Sequence, residues 1–260
     1  MPIVTVGGQD IFYFEYRVSD SVYPPLLLIH GAGGQHTHWP PPVRRLTRVQ
    51  TFAPDLPGHG RSAGPGRESV AAYAADLLAL MDALSVERFI PVGHSMGGAI
   101  AQQIALVAPE RVAGIGLVAT GARLPVSETL LTKPLTDFDE VVGFVMAYGF
   151  GPHADDKLKG LGRRQLEACP PEVVRGDYLA CNAFDSRERV AEIGVPALIV
   201  AATHDRMMPP RFSQFLADHL PQPEYYLLEG AGHFIPSESP YELADILLDW
   251  LKRRIQPVGS

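Results

Sequence analysis

The sequence predicts an α/β protein built on a mostly parallel sheet, and three observations carry that prediction. Short continuous apolar runs recur along the chain, such as Leu26-Leu27-Leu28-Ile29 and Ala197–Ala202, the pattern of strands buried on both faces. Between them lie stretches whose apolar residues recur every three or four positions, the pattern of amphipathic helices. A turn of small residues, Gly93-His94-Ser95-Met96-Gly97-Gly98, separates one such run from one such helix. At 260 residues and 46% apolar composition, the chain suits one domain with a large core and a modest insertion.

Taken in order, Ile3–Val6 and Ile11–Val18 read as strands, with Gly7-Gly8-Gln9-Asp10 as the turn of a hairpin and hence an antiparallel edge. Leu26–Ile29 is the first buried strand. Val49–Ala53, Phe89–Val92, Ile115–Ala119, Ala197–Ala202 and Tyr225–Leu228 continue the series. Ser69–Leu84 forms a helix with Val70, Tyr73, Leu77, Leu80, Met81 and Leu84 on one stripe, and Glu242–Arg253 does the same with Leu243, Ile246, Leu247 and Trp250. Ala99–Leu106 is the helix that follows the glycine-rich turn.

The alternation breaks from about Ala122 to Ser186. Phe138, Val141, Val142, Val145 and Met146 follow helical spacing, Glu172–Ala183 is helical, and prolines and glycines punctuate the rest. This predicts a small helical insertion: residues 122–188 form a cap, and 1–121 with 189–260 form the core.

Composition excludes several classes. The formal net charge is −7 with no long basic run, which argues against nucleic-acid binding, and Arg44, Arg45 and Arg48 read as a solvated helix face. No apolar stretch approaches the roughly 18 residues of a membrane span. The N-terminal residues lack the pattern of a secretory signal, so a cytoplasmic protein is expected. Cys169 and Cys181 are expected to be reduced and structural, and no zinc or iron–sulfur spacing is present, so neither cofactor nor metal is expected.

The chemistry concentrates on Ser95. A G-x-S-x-G turn between strand and helix lifts a serine hydroxyl to the end of the sheet, beside a helix N-terminus that favours developing negative charge. A serine hydroxyl needs a base, and the base an orienting carboxylate, in the chain order serine, acid, histidine. Asp205 follows the strand Ala197–Ala202, and His233, in Gly230-Ala231-Gly232-His233, follows Tyr225–Leu228. Both therefore fall at the sheet edge where Ser95 is presented. His204 competes with His233 as base but precedes Asp205. Two backbone N–H groups should face the developing oxyanion: that of Met96, after the serine, and that of Ala32 in His30-Gly31-Ala32-Gly33-Gly34. His30 and His59 are expected to be structural, and His94 to point away from the serine as a supporting residue.

These pieces, with Asp55-Leu56-Pro57-Gly58-His59-Gly60-Arg61-Ser62, closely resemble the α/β-hydrolase family across most of the chain. The resemblance implies an eight-stranded sheet flanked by helices, a helical cap after the sixth strand, and Ser95, His233 and Asp205 as nucleophile, base and orienter. It favours a serine hydrolase acting on a small-molecule carboxylic ester through an acyl-enzyme. Carbon–carbon bond hydrolases of ring-cleavage products and enol-lactonases share these residues, the former typically with pocket arginines; Arg123, Arg163 and Arg164 lie in or near the cap. A small-molecule receptor of slow turnover is the reading from another class. Phe138, Val142, Val145 and Met146 either line an acyl pocket or pack the cap onto the core.

Overall fold

The computed structural model describes residues 2–257. Met1 and Val258–Ser260, the outer ends of the expected core segments, lie outside them. Eight strands among the described residues form one sheet: β1 (Ile3–Val6), β2 (Gln9–Tyr16), β3 (Leu26–Ile29), β4 (Thr51–Pro54), β5 (Ile90–His94), β6 (Ile115–Val118), β7 (Ala197–Ala202) and β8 (Pro223–Leu228). Their spatial order is β1-β2-β4-β3-β5-β6-β7-β8. The β1–β2 and β2–β4 pairs are antiparallel and the other five are parallel. The antiparallel edge expected from the opening hairpin is therefore present.

Successive residues of the central strands face opposite layers, and both layers are apolar. Leu27, Ile29, Leu117 and Ile199 pack with α2 (Val70–Ala83), α3 (Met96–Val107) and α8 (Pro210–His219). Leu26, Leu28, Val92 and Val200 pack beneath α1 (Pro41–Arg44) and α10 (Pro240–Arg254), with Trp250 fully buried. Burial on both faces explains why these strands read as continuous rather than alternating apolar runs. Helix α2 begins where Ser69 caps it, its side chain accepting from the Ala72 amide.

Four helices lie between β6 and β7: α4 (Glu128–Thr132), α5 (Phe138–Gly149), α6 (Asp156–Glu167) and α7 (Pro171–Ala183). They share an apolar cluster of their own around Val141, Val142, Leu166 and Val174. The segment leaves and re-enters the core at one neck, where Arg123 pairs with Asp185 in an antiparallel bridge and the Ser186 amide donates to Ala122 O at 2.7 Å. The short helix α9 (Ile235–Glu238) precedes α10.

The cysteines Cys169 and Cys181 are free and buried, and burial pushes both thiols far up from their ordinary range. Of the three arginines expected on a solvated face, Arg45 and Arg48 are exposed, whereas the Arg44 guanidinium stacks on Phe14, 4.6 Å from the ring centroid, and its Nε is buried without a partner among the described residues. The aromatic residue on β2 competes with water for this side chain. No helix among the described residues is long and apolar enough to cross a membrane.

Candidate active site

Ser95 sits between the last residue of β5 and the first of α3 with φ 54° and ψ −118°, a conformation that costs a non-glycine residue about 1–3 kcal/mol. The surroundings over-determine it. The Ser95 amide donates to Val118 O at 2.9 Å, and Ser95 O accepts from Thr120 Oγ1 at 2.8 Å. The flanking glycines leave room for nothing larger: a Cβ on Gly93 would lie 2.0 Å from Gly97 O, and one on Gly97 would lie 2.2 Å from Ile29 O. The crossing of β5, β3 and α3 thus requires glycine on both sides of the serine.

The loop after β3 lies against this turn. A Cβ on Gly31 would be 3.2 Å from Ser95 Cβ, and Gly33 adopts φ +62°. The Gly33 amide donates to Asp177 Oδ2 at 2.8 Å and the Gly34 amide to Gly31 O at 3.1 Å. Met96 opens α3, so its N–H has no acceptor within the helix. His30 is fully buried, Nδ1 donating to Gly31 O at 2.9 Å and Nε2 accepting from the Leu56 amide at 3.1 Å. Asp55 organises the next loop: it accepts from the His36 and Arg61 amides, and a Cβ on Gly60 would lie 2.4 Å from its Oδ2.

Asp205 and His233 meet after β7 and β8. His233 Nδ1 lies 2.8 Å from Asp205 Oδ2, with both side chains almost wholly buried. Asp205 Oδ1 is occupied by the amides of Met207 and Met208 at 2.9 and 2.7 Å. A carboxylate partner fixes Nδ1 as the protonated nitrogen and leaves Nε2 as acceptor. The His233 backbone is held as firmly: its amide donates to Gly149 O at 2.7 Å, and its carbonyl accepts from His94 Nε2 at 2.8 Å. His204 is exposed and bonded to Thr203 Oγ1.

Ser95, His233, Ala32 and His94 line one cavity of about 180 Å³. Its walls are largely apolar, with Leu124, Val126, Leu130, Phe144, Val145 and Met146 among them. Val145 and Met146 face the cavity, while Val142 is fully buried in the helical cluster, so the apolar residues of this region divide between lining and packing. Arg123, Arg163 and Arg164 are not among the lining residues. Arg206 is, but its guanidinium donates to Ala147 O and lies 5.0 Å from the Tyr148 ring centroid. His38 also lines the cavity; burial, reinforced by the charge of His59 and opposed by Asp55, lowers its pKa to about 4. Burial likewise holds His94 well below the usual histidine range, and its Nδ1 has no partner.

Several supporting residues carry little sequence signal. Glu238 Oε2 accepts from the amides of Gly151 and Gly232 at 2.8 and 3.1 Å, and Oε1 from Phe234 at 3.1 Å. Thr120 holds the carbonyl of Ser95. Asp177 had one legible sign, a charge on the same helical face as Val173, Val174, Ala180 and Cys181.

Comparison with known proteins places this geometry in context. The chain is 31% identical to "Putative carbamate hydrolase RutD" of Agrobacterium fabrum, over 90% of this chain and 95% of that one. It superimposes on the structure of a thermophilic esterase with a TM-score of 0.85 at 29% identity, covering 97% of each chain. It superimposes on the enol-lactonase of Burkholderia xenovorans LB400 with a TM-score of 0.90 at 24% identity, covering 97% of this chain and 100% of that one; this likeness is one of fold. Residues 26–246 match the model of the alpha/beta hydrolase family, and the chain belongs to that family.

Proposed function

We propose that the protein is a serine hydrolase that cleaves carboxylic esters with a neutral, apolar acyl group through an acyl-enzyme on Ser95. The observation that carries this reading is the 2.8 Å Asp205–His233 hydrogen bond at the wall of an apolar cavity that Ser95 also lines. His233 Nε2 takes the proton of Ser95 Oγ as the oxygen attacks the ester carbonyl. Asp205 holds the productive tautomer and stabilises the imidazolium that forms. The Ala32 and Met96 amides receive the oxyanion. Collapse expels the alcohol, protonated by His233, and water activated by the same histidine releases the acid. Helices α4–α7 act as a cap that supplies much of the acyl-binding wall.

The substrate class follows from the lining. An acidic ring-cleavage product would need a free cation, and among the described residues the one guanidinium at the wall, that of Arg206, is engaged by Ala147 O and Tyr148. This favours ester over carbon–carbon cleavage. A small polar carbamate, the substrate class in the relative's name, would undergo the same attack but leave most of the apolar wall unfilled.

The test is a panel of p-nitrophenyl acyl esters, a phenyl carbamate and an enol-lactone. We expect the butyrate or hexanoate ester to be turned over best, and Ser95→Ala to reduce kcat by roughly 10³-fold or more. Wild-type turnover no greater than that of Ser95→Ala would overturn the assignment, as would full activity in His233→Ala beside an inactive His204→Ala. Preference for the carbamate would keep the mechanism and change the substrate.

A further inference from the structure

His59 and Asp177 take no part in the chemistry above, yet they form a fully buried charged pair. Asp177 projects from α7 and meets three parts of the core. Its Oδ2 accepts from the Gly33 amide and from His59 Nε2, each at 2.8 Å, and its Oδ1 accepts from Tyr73 Oη at 2.6 Å. The other nitrogen of His59 lies 3.0 Å from Pro57 O. Both partners of the ring are acceptors, so both nitrogens must carry protons. Burial alone would lower the His59 pKa, but the Asp177 charge and hydrogen bond outweigh it and raise it.

The helix that carries Asp177 is seated with little freedom. A Cβ on Gly176 would lie 2.8 Å from Arg67 O, and Cβ atoms on Gly58 and Gly66 would each lie 3.0 Å from the Val173 side chain. Within that seat it is the direct bonds to His59 and Tyr73, and not the Val173 packing, that fix the carboxylate as an acceptor for Gly33, whose neighbour is Ala32.

We propose that Asp177 is a positioning residue for the oxyanion loop: held by His59 and Tyr73, its carboxylate pins the Gly33 amide and so aims the Ala32 amide at the carbonyl oxygen of the substrate. This rests on the serine-hydrolase reading. A misplacement of about 1 Å in such a site costs on the order of 10²-fold in rate, which sets the scale of the effect.

The experiment compares wild type, Asp177→Asn and Val173→Ala. The asparagine keeps an oxygen for Gly33 but removes the charge that holds His59. Val173→Ala loosens the same helix without touching the carboxylate. Asp177→Asn should lower kcat roughly 10- to 100-fold with KM changed less than about threefold. It should weaken inhibition by a trifluoromethyl ketone, which mimics the tetrahedral oxyanion, by the same factor. Hydrogen exchange at Gly33 should accelerate while the amide of Gly34 is unchanged. Val173→Ala should lose thermal stability yet keep kcat and the inhibition constant. Should Asp177→Asn fail to fold, His59→Gln takes its place with the same readouts. Wild-type kcat, inhibition and Gly33 exchange in the aspartate or histidine variant would overturn the proposal, as would an equal loss of kcat in Val173→Ala. If wild type hydrolyses no ester and ignores the ketone, the serine-hydrolase reading fails, and unchanged Gly33 exchange would still overturn the loop-positioning role by itself.

Discussion

His94 Nε2 donates to the backbone carbonyl of His233 across 2.8 Å, so the residue before the candidate nucleophile holds the main chain of the candidate base. The His94 ring stays neutral because burial disfavours its charged form, which leaves one N–H and gives it to His233 O. Replacing His94 by Leu removes that donor and orphans a buried carbonyl, a loss of about 1–3 kcal/mol. We expect His94→Leu to lower kcat about tenfold or more, with KM little changed. Steady-state kinetics on the best ester of the panel, with far-ultraviolet circular dichroism as the folding control, checks this. Unaltered kcat in a folded variant would show that the His94–His233 contact does not position the base.

Glu238 supports the same loop from the other side. One carboxylate gathers the amides of Gly151, Gly232 and Phe234, and so ties the end of α5 to the residues on both sides of His233. Burial raises its pKa, opposed by those three amides and by His233. Glu238→Ala leaves three amides without their acceptor, and each lost bond is worth about 0.5–1.5 kcal/mol. The variant should lose several degrees of Tm and show faster hydrogen exchange at Gly151, Gly232 and Phe234, with kcat falling in step. Glu238→Gln retains one carbonyl oxygen and should fall between the two. Exchange at Gly232 unchanged in the alanine variant would rule out the brace.

The legible parts of this molecule are those set by local pattern. Leu26–Ile29 and Ala197–Ala202 are continuous apolar runs because both faces of the sheet are covered, and their bounds in the structure coincide with the runs. Ser95, Asp205 and His233 could be proposed because each follows a strand of the parallel part of the sheet, β5 and β7 fully buried and β8 half-buried, at the same sheet edge. Helix α6 was not legible: Gly160 and Gly162 read as breaks, whereas Gly162 is the point where Phe150 packs, a Cβ there falling 2.8 Å from its ring. Its start at Asp155, which caps the Leu158 amide, was equally local but hidden by that glycine signal. Long-range polar pairing was the other loss. His59 reads as a loop histidine until Asp177, 118 residues away, is brought beside it. No periodicity reports a partner at that distance.

The buried histidines also set a pH dependence of stability. His30, His38 and His94 all have pKa values lowered by burial, that of His38 to about 4. In the unfolded chain each returns to about 6.5. Below that pH the unfolded state binds protons that the native state refuses, so stability is lost as pH falls from about 6.5 towards 4. Each histidine contributes up to about 1.4 kcal/mol per pH unit in that window. His59 has the opposite sign: its native pKa is raised, so its contribution is complete below about 6.5 and is lost as pH rises through the raised value. Calorimetry from pH 4 to 9 should therefore show a steep acid decline in Tm and a shallower alkaline one. His38→Gln should flatten the acid limb by about one proton's worth, and His59→Gln should remove the alkaline decline attributable to that pair. An acid slope identical in wild type and His38→Gln would mean that His38 titrates in the fold as it does in the open chain, and that its cavity does not keep it neutral.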